Sequence, residues 1–367
     1  MPKDPFQIVR QNPGFLEVLR RKPGLVGAVL QQRLLRWCRA RQGLHTLTGI
    51  EFALTYACQA SCSHCSASSL LDSRSERERV NPGELRVVAE EAFALGAYEV
   101  NITGGEPTLL QDLEEYVGCF RPERTFIGLN TNGQLIDPAR VVRLRDAGVD
   151  MLKLSLDSPD PADHDANRGL PGNHAHVRAV LASVRTTRGI RGHICSVGTS
   201  EIVRSGGAAR LVRIAAELDA TIGFTLPVAV GRWSDRYDVM LDDADLAGLK
   251  AVCRAPNAFF QGSVGTGEFA CPAGRTEIYV SPYGDVLPCP FIQRSFGSVR
   301  ADPLGVVFER MGVAADLAGG ASLCLAGQSQ RWMKSHVPST RSRLEMPSCS
   351  TEHQETFCHR PARPEGA

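Results

Sequence analysis

The chain has no apolar stretch approaching the roughly 18 to 20 residues needed to cross a bilayer, and its first residues, Met1-Pro2-Lys3-Asp4-Pro5, do not open a signal peptide. A cytoplasmic protein is expected. Net charge is almost absent too, since 41 Lys and Arg stand against 40 Asp and Glu and leave +1. That balance gives no support for a protein that coats nucleic acid, and any charged patch must be local. Repeats and low-complexity tracts are missing. Cysteine is too dilute for a disulfide scaffold, at 12 in 367 residues, and its clustering fits metal ligation in a reducing compartment better. With 43% hydrophobic residues the chain can still bury a substantial core, as two or three domains or as one barrel with additions.

Residues 1–47 contain a basic, amphipathic helical pair broken at Pro23, with Leu16, Leu19, Leu25, Val29 and Leu35 among Arg20, Arg33, Arg36 and Arg39. A membrane surface or an acidic partner suits such a segment, but the plainer expectation is a cap on the body with a solvated basic face. From residue 49 the pattern becomes short β-like runs alternating with helical ones, the rhythm of consecutive βα units. Strands are predicted at Gly49 to Thr55, Tyr98 to Thr103, Thr125 to Thr131, Met151 to Ser155, Gly192 to Val197 and Thr221 to Pro227. Helices are predicted between them from stripes such as Leu85, Val88, Ala92 and Leu95, and from Asp137-Pro138 as an N-terminal signal with Gly148 as a stop. Six units imply an α/β fold with a curved parallel sheet, open or closed. Reactive groups in such folds gather where C-terminal strand ends feed loops.

Cys58, Cys62 and Cys65 lie at such an end, after the first strand, with no fourth cysteine nearby. A structural zinc site closes its tetrahedron, whereas three thiolates leave one iron of a cubic cluster without a protein ligand. Thr103-Gly104-Gly105-Glu106-Pro107 follows the second strand: glycines let backbone approach closely, and a carboxylate beside them can receive an ammonium group. Asn130 and Asn132 end the third strand, and Ser155 and Asp157 the fourth, where such groups suit ribose hydroxyls but singly read as caps or turn formers.

Residues 229–270 read as a connector with one helix near Asp243 to Cys253. Beyond it, Cys271 and Cys289 bracket a hairpin pattern, Glu277 to Val280 and Val286 to Leu287 around a Pro-Tyr-Gly-Asp turn, and Cys324, Cys349 and Cys358 follow. Residues 271–360 are thus expected to form a small hairpin-containing domain, with 361–367 a disordered tail. Cys38, Cys119, Cys195 and Cys253 lie alone in the sequence and read first as small buried hydrophobes.

Together, Cys-x3-Cys-x2-Cys, Gly-Gly-Glu-Pro and Ser-Leu-Asp after successive strands resemble the radical S-adenosylmethionine (SAM) superfamily. The resemblance implies a partial (β/α)6 TIM-like barrel over residues 48–228, and that Cys58, Cys62 and Cys65 hold a [4Fe–4S] cluster whose open iron takes the methionine part of SAM. It assigns Gly104, Gly105 and Glu106 to the methionine amine, His64 to the usually aromatic position near the adenine, and Ser155 and Asp157 to the ribose side. Thr199 and Pro227 are the adenine contacts expected from the fifth and sixth strands. Cys271, Gly284 and Cys289 resemble the opening of the SPASM and twitch domains, which bind auxiliary clusters. A full SPASM cysteine run is absent, so a twitch-type site with one auxiliary cluster is implied. Cys324 is its third ligand and Cys349, Cys358 or nothing its fourth, with a structural zinc as the alternative.

The implied mechanism is reductive cleavage of SAM to a 5'-deoxyadenosyl radical that abstracts a substrate hydrogen atom, with an electron from a flavodoxin or ferredoxin. An auxiliary cluster favours oxidation or cross-linking; Cys195 or Cys253 as hydrogen donor would favour epimerisation of a sugar or peptide residue. No winged-helix pattern for a leader peptide shows in the first 45 residues. That tilts the substrate towards a small molecule such as a sugar or aminocyclitol, or a peptide delivered by another protein. A non-catalytic iron–sulfur redox regulator would use the cysteines but has no need of Gly104 to Pro107.

Overall fold

The computed structural model describes residues 15–70, 77–260, 271–314, 317 and 324–337. Ten strands form one sheet: β1 Gly49–Thr55, β2 Glu99–Gly104, β3 Phe126–Thr131, β4 Met151–Ser155, β5 Arg191–Val197, β6 Thr221–Thr225, β7 Ala258–Phe260, β8 Glu277–Val280, β9 Asp285–Leu287 and β10 Gly297–Ser298. Their order is β10-β9-β8-β1-β2-β3-β4-β5-β6-β7. Pairing from β8 through β1 to β7 is parallel throughout, and only β8–β9 and β9–β10 are antiparallel. This is the partial TIM-like barrel expected, with each of the six predicted strands within two residues of its observed ends.

Two strands lie outside that expectation. β7 comes from the stretch read as a connector, because three residues are too few to show an alternating pattern. β8 pairs with β1, Glu277 opposite Gly49, so the hairpin after Cys271 continues the barrel sheet instead of starting beyond it. The sequence could not show this pairing, since strand neighbours more than 200 residues apart leave no local signal.

Period-two alternation explains how the sheet is filled on one face and open on the other. Ile50, Phe52, Val100, Ile102, Ile127, Leu129, Leu152, Leu154, Ile194, Ile222 and Phe224 join one buried core under the surrounding helices. The residues between them, among them Glu51, Asn101, Asn130, Lys153, His193 and Cys195, border a cavity inside the curve of the sheet. Helix ends follow the predicted signals. Asp137 accepts a hydrogen bond from Arg140 N–H at 2.6 Å at the start of helix Pro138–Ala147, and Gly148 stops it at φ 111°.

Helices Phe15–Arg21 and Pro23–Ala40 pack through Val18, Leu25 and Ala28 on Tyr98 and Phe126, where β2 and β3 begin. Lys22, buried between them, donates to Thr125 O at 2.9 Å, to Gly148 O at 2.8 Å and to the Asp150 carboxylate. Burial lowers its pKa and Asp150 opposes that shift. The outward side of the second helix leaves Leu30 61%, Leu34 63% and Trp37 55% exposed. Cys38, expected to be a buried small hydrophobe, is exposed there, because position 38 falls off the stripe formed by Leu25, Ala28 and Gln32. Cys119 is buried as expected. Cys349, Cys358 and the tail 361–367 lie outside the described residues. No helix among the described residues is long and apolar enough to cross a membrane.

Replacing Asp137 by Ala removes the cap on helix Pro138–Ala147 and is expected to cost about 1 kcal/mol. Urea unfolding checks this; an unchanged midpoint would show that the cap does not contribute.

Candidate active site

The loop carrying Cys58, Cys62 and Cys65 leaves β1 and is held from three sides. Gly104 at φ 133° and Gly105 pass so close to the end of β1 that a Cβ on them would stand 2.1 Å from Thr55 O and 2.3 Å from Ala57 O. That proximity permits the bonds Gly105 N–H to Thr55 O at 2.7 Å and Glu106 N–H to Ala57 O at 2.8 Å. Only glycine fits there. On the second side, the end of helix Pro161–Arg168 accepts Ser61 N–H at Arg168 O and Ser63 N–H at Asn167 O, at 3.0 and 2.8 Å. On the third, Arg232 N–H donates to Cys65 O at 3.0 Å, and a Cβ on Gly231 would stand 2.1 Å from that oxygen.

So fixed, the three cysteines border a cavity of about 240 Å³. Gly104 and Gly105 form part of its wall, with Asn130 and Asn132 from the end of β3, Ser155 from β4, Pro227 after β6, and His64. Seven of the residues expected around the cofactor therefore converge where the sequence placed them: His64, Gly104, Gly105, Asn130, Asn132, Ser155 and Pro227 beside the three thiols of the loop, with Cys62 buried among them.

Three expected contacts are placed elsewhere. Glu106 is fully buried and does not border the cavity; its carboxylate accepts from Thr108 N–H at 3.0 Å, Thr131 Oγ1 at 2.7 Å and Asn132 N–H at 2.8 Å. It braces the β2 and β3 loops against each other. Asp157 does not border the cavity either, because Arg168 takes its Oδ2 at 2.6 Å through both Nε and Nη2. Thr199 caps helix Ser200–Arg204, accepting from Ile202 N–H at 3.3 Å, and its hydroxyl is thereby used in the helix layer.

Arg168 was not singled out by sequence, and it joins the pieces. Its Nη1 donates towards Cys62 Sγ at 3.6 Å while Asp157 holds the other side of the guanidinium. Burial opposes the charge on Arg168, but Asp157 and Cys62 outweigh it and its pKa is raised. Burial likewise opposes ionisation of Asp157, and Arg168 with His64 and His164 holds its carboxyl below the usual range. Burial lowers the pKa of His64, with Asp157 opposing, and its ring lies 5.7 Å from that of Trp233. A guanidinium fixed beside a thiol-lined cavity suits an anionic cluster and a carboxylate ligand. The signal that could have found it is Asp160-Pro161, a helix start placing Arg168 at the helix end.

A second cavity, of about 370 Å³, fills the inside of the barrel. Thr103, Gly104, Asn130, Thr225 and Phe291 border both cavities, so the two meet at the C-terminal ends of the strands. Cys271, Cys289 and Cys324 all border this second cavity. Ile292 N–H donates to Cys289 Sγ at 3.4 Å and Gly327 N–H to Cys324 Sγ at 3.3 Å, the kind of donor that tunes thiolate ligands. Burial raises the pKa of Cys289, with Cys271 and Cys324 adding to it, and pushes that of Cys324 up to about 12. Among the described residues no three His, Cys, Asp or Glu side chains converge tightly enough to hold one metal ion. Cluster thiolates need not converge so, since each serves a separate iron.

Of the two expected hydrogen donors, Cys195 on β5 borders the barrel cavity, 3.8 Å from Asn130 Oδ1. Cys253 does not. It ends helix Asp243–Val252 and packs on the apolar core outside the barrel, where burial pushes its thiol up to about 12.

Residues 52–198 match the Radical SAM superfamily. This part of the chain belongs to that superfamily, as the cysteine loop and glycine cradle on a partial barrel indicate. The chain is 28% identical over 264 residues to the mycofactocin maturase MftC of Mycolicibacterium smegmatis, covering 68% of this chain and 66% of that protein. It thus spans just under two thirds of that relative's length. It is 26% identical over 314 residues to the AdoMet-dependent heme synthase of Methanosarcina barkeri, covering 75% of this chain and 87% of that one. In fold it is similar to Streptococcus suis SuiB bound to precursor peptide SuiA, with a TM-score of 0.59 at 18% identity over 74% of this chain and 67% of that one.

Replacing Arg168 by Gln is expected to weaken SAM binding at least tenfold, about 1.4 kcal/mol. Equilibrium binding to the reconstituted protein measures it, and unchanged affinity would leave the guanidinium with a purely structural role.

Proposed function

We propose that this chain is a radical SAM enzyme that abstracts a hydrogen atom from a ribosomal peptide or small molecule and completes an oxidation or cross-link with an auxiliary cluster at Cys271, Cys289 and Cys324. One observation carries this: a thiol-lined cofactor cavity opens at Thr103, Gly104 and Asn130 onto a barrel cavity bordered by a second group of three thiols. When bound, the cluster and SAM supply the hydrogen-abstracting chemistry. The protein places and shields. Cys58, Cys62 and Cys65 hold the cluster, Arg168 offsets its charge, and Gly104, Gly105, Asn132 and Ser155 orient the cofactor. Leu226, Pro227, Val228 and Trp233 give that cavity an apolar wall that excludes water. Cys349, Cys358 or an open position completes the auxiliary site, which makes the C-terminal segment twitch-like. The peptide reading draws on the mycofactocin maturase and on SuiB, whose structure contains a precursor peptide. The chemistry requires an electron donor such as a flavodoxin or ferredoxin.

Epimerisation is the second reading, favoured by the place of Cys195 in the barrel wall. A Cys195→Ala variant that forms product normally would remove that reading.

Anaerobic reconstitution is expected to give about eight iron atoms per chain, and about four in a Cys271→Ala, Cys289→Ala variant. A count of four in the parent chain would leave no auxiliary cluster. Cys62→Ala should abolish formation of 5'-deoxyadenosine from SAM and dithionite; unchanged formation would sink the proposal.

A further inference from the structure

The loops after β3 and β4 both reach the cofactor cavity, and two buried side chains outside it tie one loop to the other. His164, in the middle of helix Pro161–Arg168, and Asn173, at the start of helix Asn173–Thr186, are each fully buried. Neither borders the cavity. Asp157 N–H donates to His164 Nδ1 at 3.2 Å, so that nitrogen carries no proton. His164 Nε2 lies 2.9 Å from Asn173 Oδ1. A main-chain carbonyl decides which way the Asn173 amide points: its Nδ2 donates to Asn132 O at 3.1 Å, and to Gln134 Oε1 at 2.9 Å. Its oxygen therefore faces the imidazole, which donates through Nε2–H. Burial lowers the pKa of His164, with Asp157 and Asn173 opposing, which suits the neutral ring that this bonding needs.

Each end of this chain of hydrogen bonds stops at a group placed in the site. At one end, Asn132 borders the cavity, and both of its main-chain polar groups are taken: Glu106 accepts its N–H at 2.8 Å and Asn173 donates to its carbonyl. At the other, the Asp157 carboxylate holds Arg168 Nε at 2.6 Å and accepts Val197 N–H at 3.3 Å, and Arg168 reaches Cys62 Sγ at 3.6 Å. The helix that carries His164 also ends in Asn167 O and Arg168 O, the two carbonyls that hold Ser63 and Ser61 of the cysteine loop. Glu106 ties the β2 loop to the β3 loop, and His164 with Asn173 carries the tie on to the β4 loop. Without the imidazole, Asp157 N–H and Asn173 Oδ1 would be left buried and unbonded, which favours a shift of the segments that carry them.

We propose that His164 is a positioning residue for the cofactor site: with Asn173 it locks the β3 loop to the β4 loop and so fixes Asp157, and through it the Arg168 guanidinium, against Cys62. This rests on the reading of Cys58, Cys62 and Cys65 as the ligands of the SAM-binding cluster, and adds to it a residue outside the cavity wall. The role asks for one group that accepts on one side and donates on the other. A carboxamide can do both; an apolar ring can do neither.

The test uses the full chain, anaerobically reconstituted, as the parent, His164→Phe and His164→Gln. SAM affinity is read by equilibrium binding, and the midpoint potential of the cluster by redox titration of the EPR signal that responds to SAM. In His164→Phe, SAM should bind about tenfold more weakly or worse, as is usual when a supporting hydrogen bond behind a ligand is removed. The midpoint potential should fall as well, because a cation no longer held at Cys62 stabilises the reduced cluster less. His164→Gln should recover most of both. Val18→Ala, which trims a buried contact where β2 and β3 begin, is the control for lost stability: it should lower the thermal midpoint and leave affinity and potential as in the parent.

If His164→Phe does not load iron, Asn173→Ala breaks the same tie with the imidazole still in place, and the same two shifts are expected of it. Unchanged affinity and potential in either variant at full iron content, or equal losses in Val18→Ala, overturn the proposal. So does weaker SAM binding at an unchanged potential, since Arg168 would then not have moved from Cys62, and so does a His164→Gln variant no better than His164→Phe. A parent chain without a SAM-responsive signal refutes the radical reading itself; a parent that has one, with variants unchanged, refutes the positioning role alone.

Discussion

The approach of Gly104 and Gly105 to the backbone of Thr55 to Ala57 is the contact on which the site depends. Parallel pairing of β1 and β2 brings two loop-bearing strand ends side by side, but ordinary strand spacing would leave a side chain between them. Two residues without Cβ atoms let the second loop donate straight to the first. The cysteine loop then starts from a backbone that cannot drift. Asn167, Arg168 and Arg232 anchor it further on, so a nine-residue stretch with hardly any regular structure acquires the rigidity of its surroundings.

Rigidity of that kind places charge as well as thiols. Glu106 ties the β2 loop to the β3 loop from beneath, and Asp157 holds Arg168 towards Cys62. Both acids were expected to meet the cofactor themselves. Both instead hold residues that border the thiol-lined cavity, Asn132 and Arg168, and their burial makes sense of it: a carboxylate enclosed by fixed donors serves as a brace more readily than as a mobile contact. The apolar wall from Leu226 to Trp233 completes the enclosure on the side where the sixth strand ends.

What the sequence made legible follows from which signals are local. Alternating apolar residues marked six strands, Asp137 and Gly148 marked a helix, and the cysteine and Gly-Gly-Glu-Pro spacings marked the cofactor cavity. Contacts between distant segments were not legible. β8 joins β1 through backbone bonds that any extended segment can make, and nothing near Cys271 declares which edge it will meet. Charged residues inside strands were a missed local signal. Glu51, Lys153 and His193 interrupt apolar runs at every second position, which puts them on the face opposite the core and so inside the barrel. Thr199 and Cys253 failed for a related reason: their sequence neighbours fit the expected roles, but the turns after β5 and before β7 carry them into the helix layer.

The pairing of β8 with β1 has one more consequence. Cys65 follows β1 and Cys271 precedes β8, so the two thiol groups are attached to adjacent strands of one hydrogen-bonded sheet. Their separation is therefore set by strand register and not by the long segment that joins them in sequence. Electron tunnelling falls steeply with distance, so if both groups hold clusters as proposed, a gap held by backbone pairing would keep the rate of exchange between them constant.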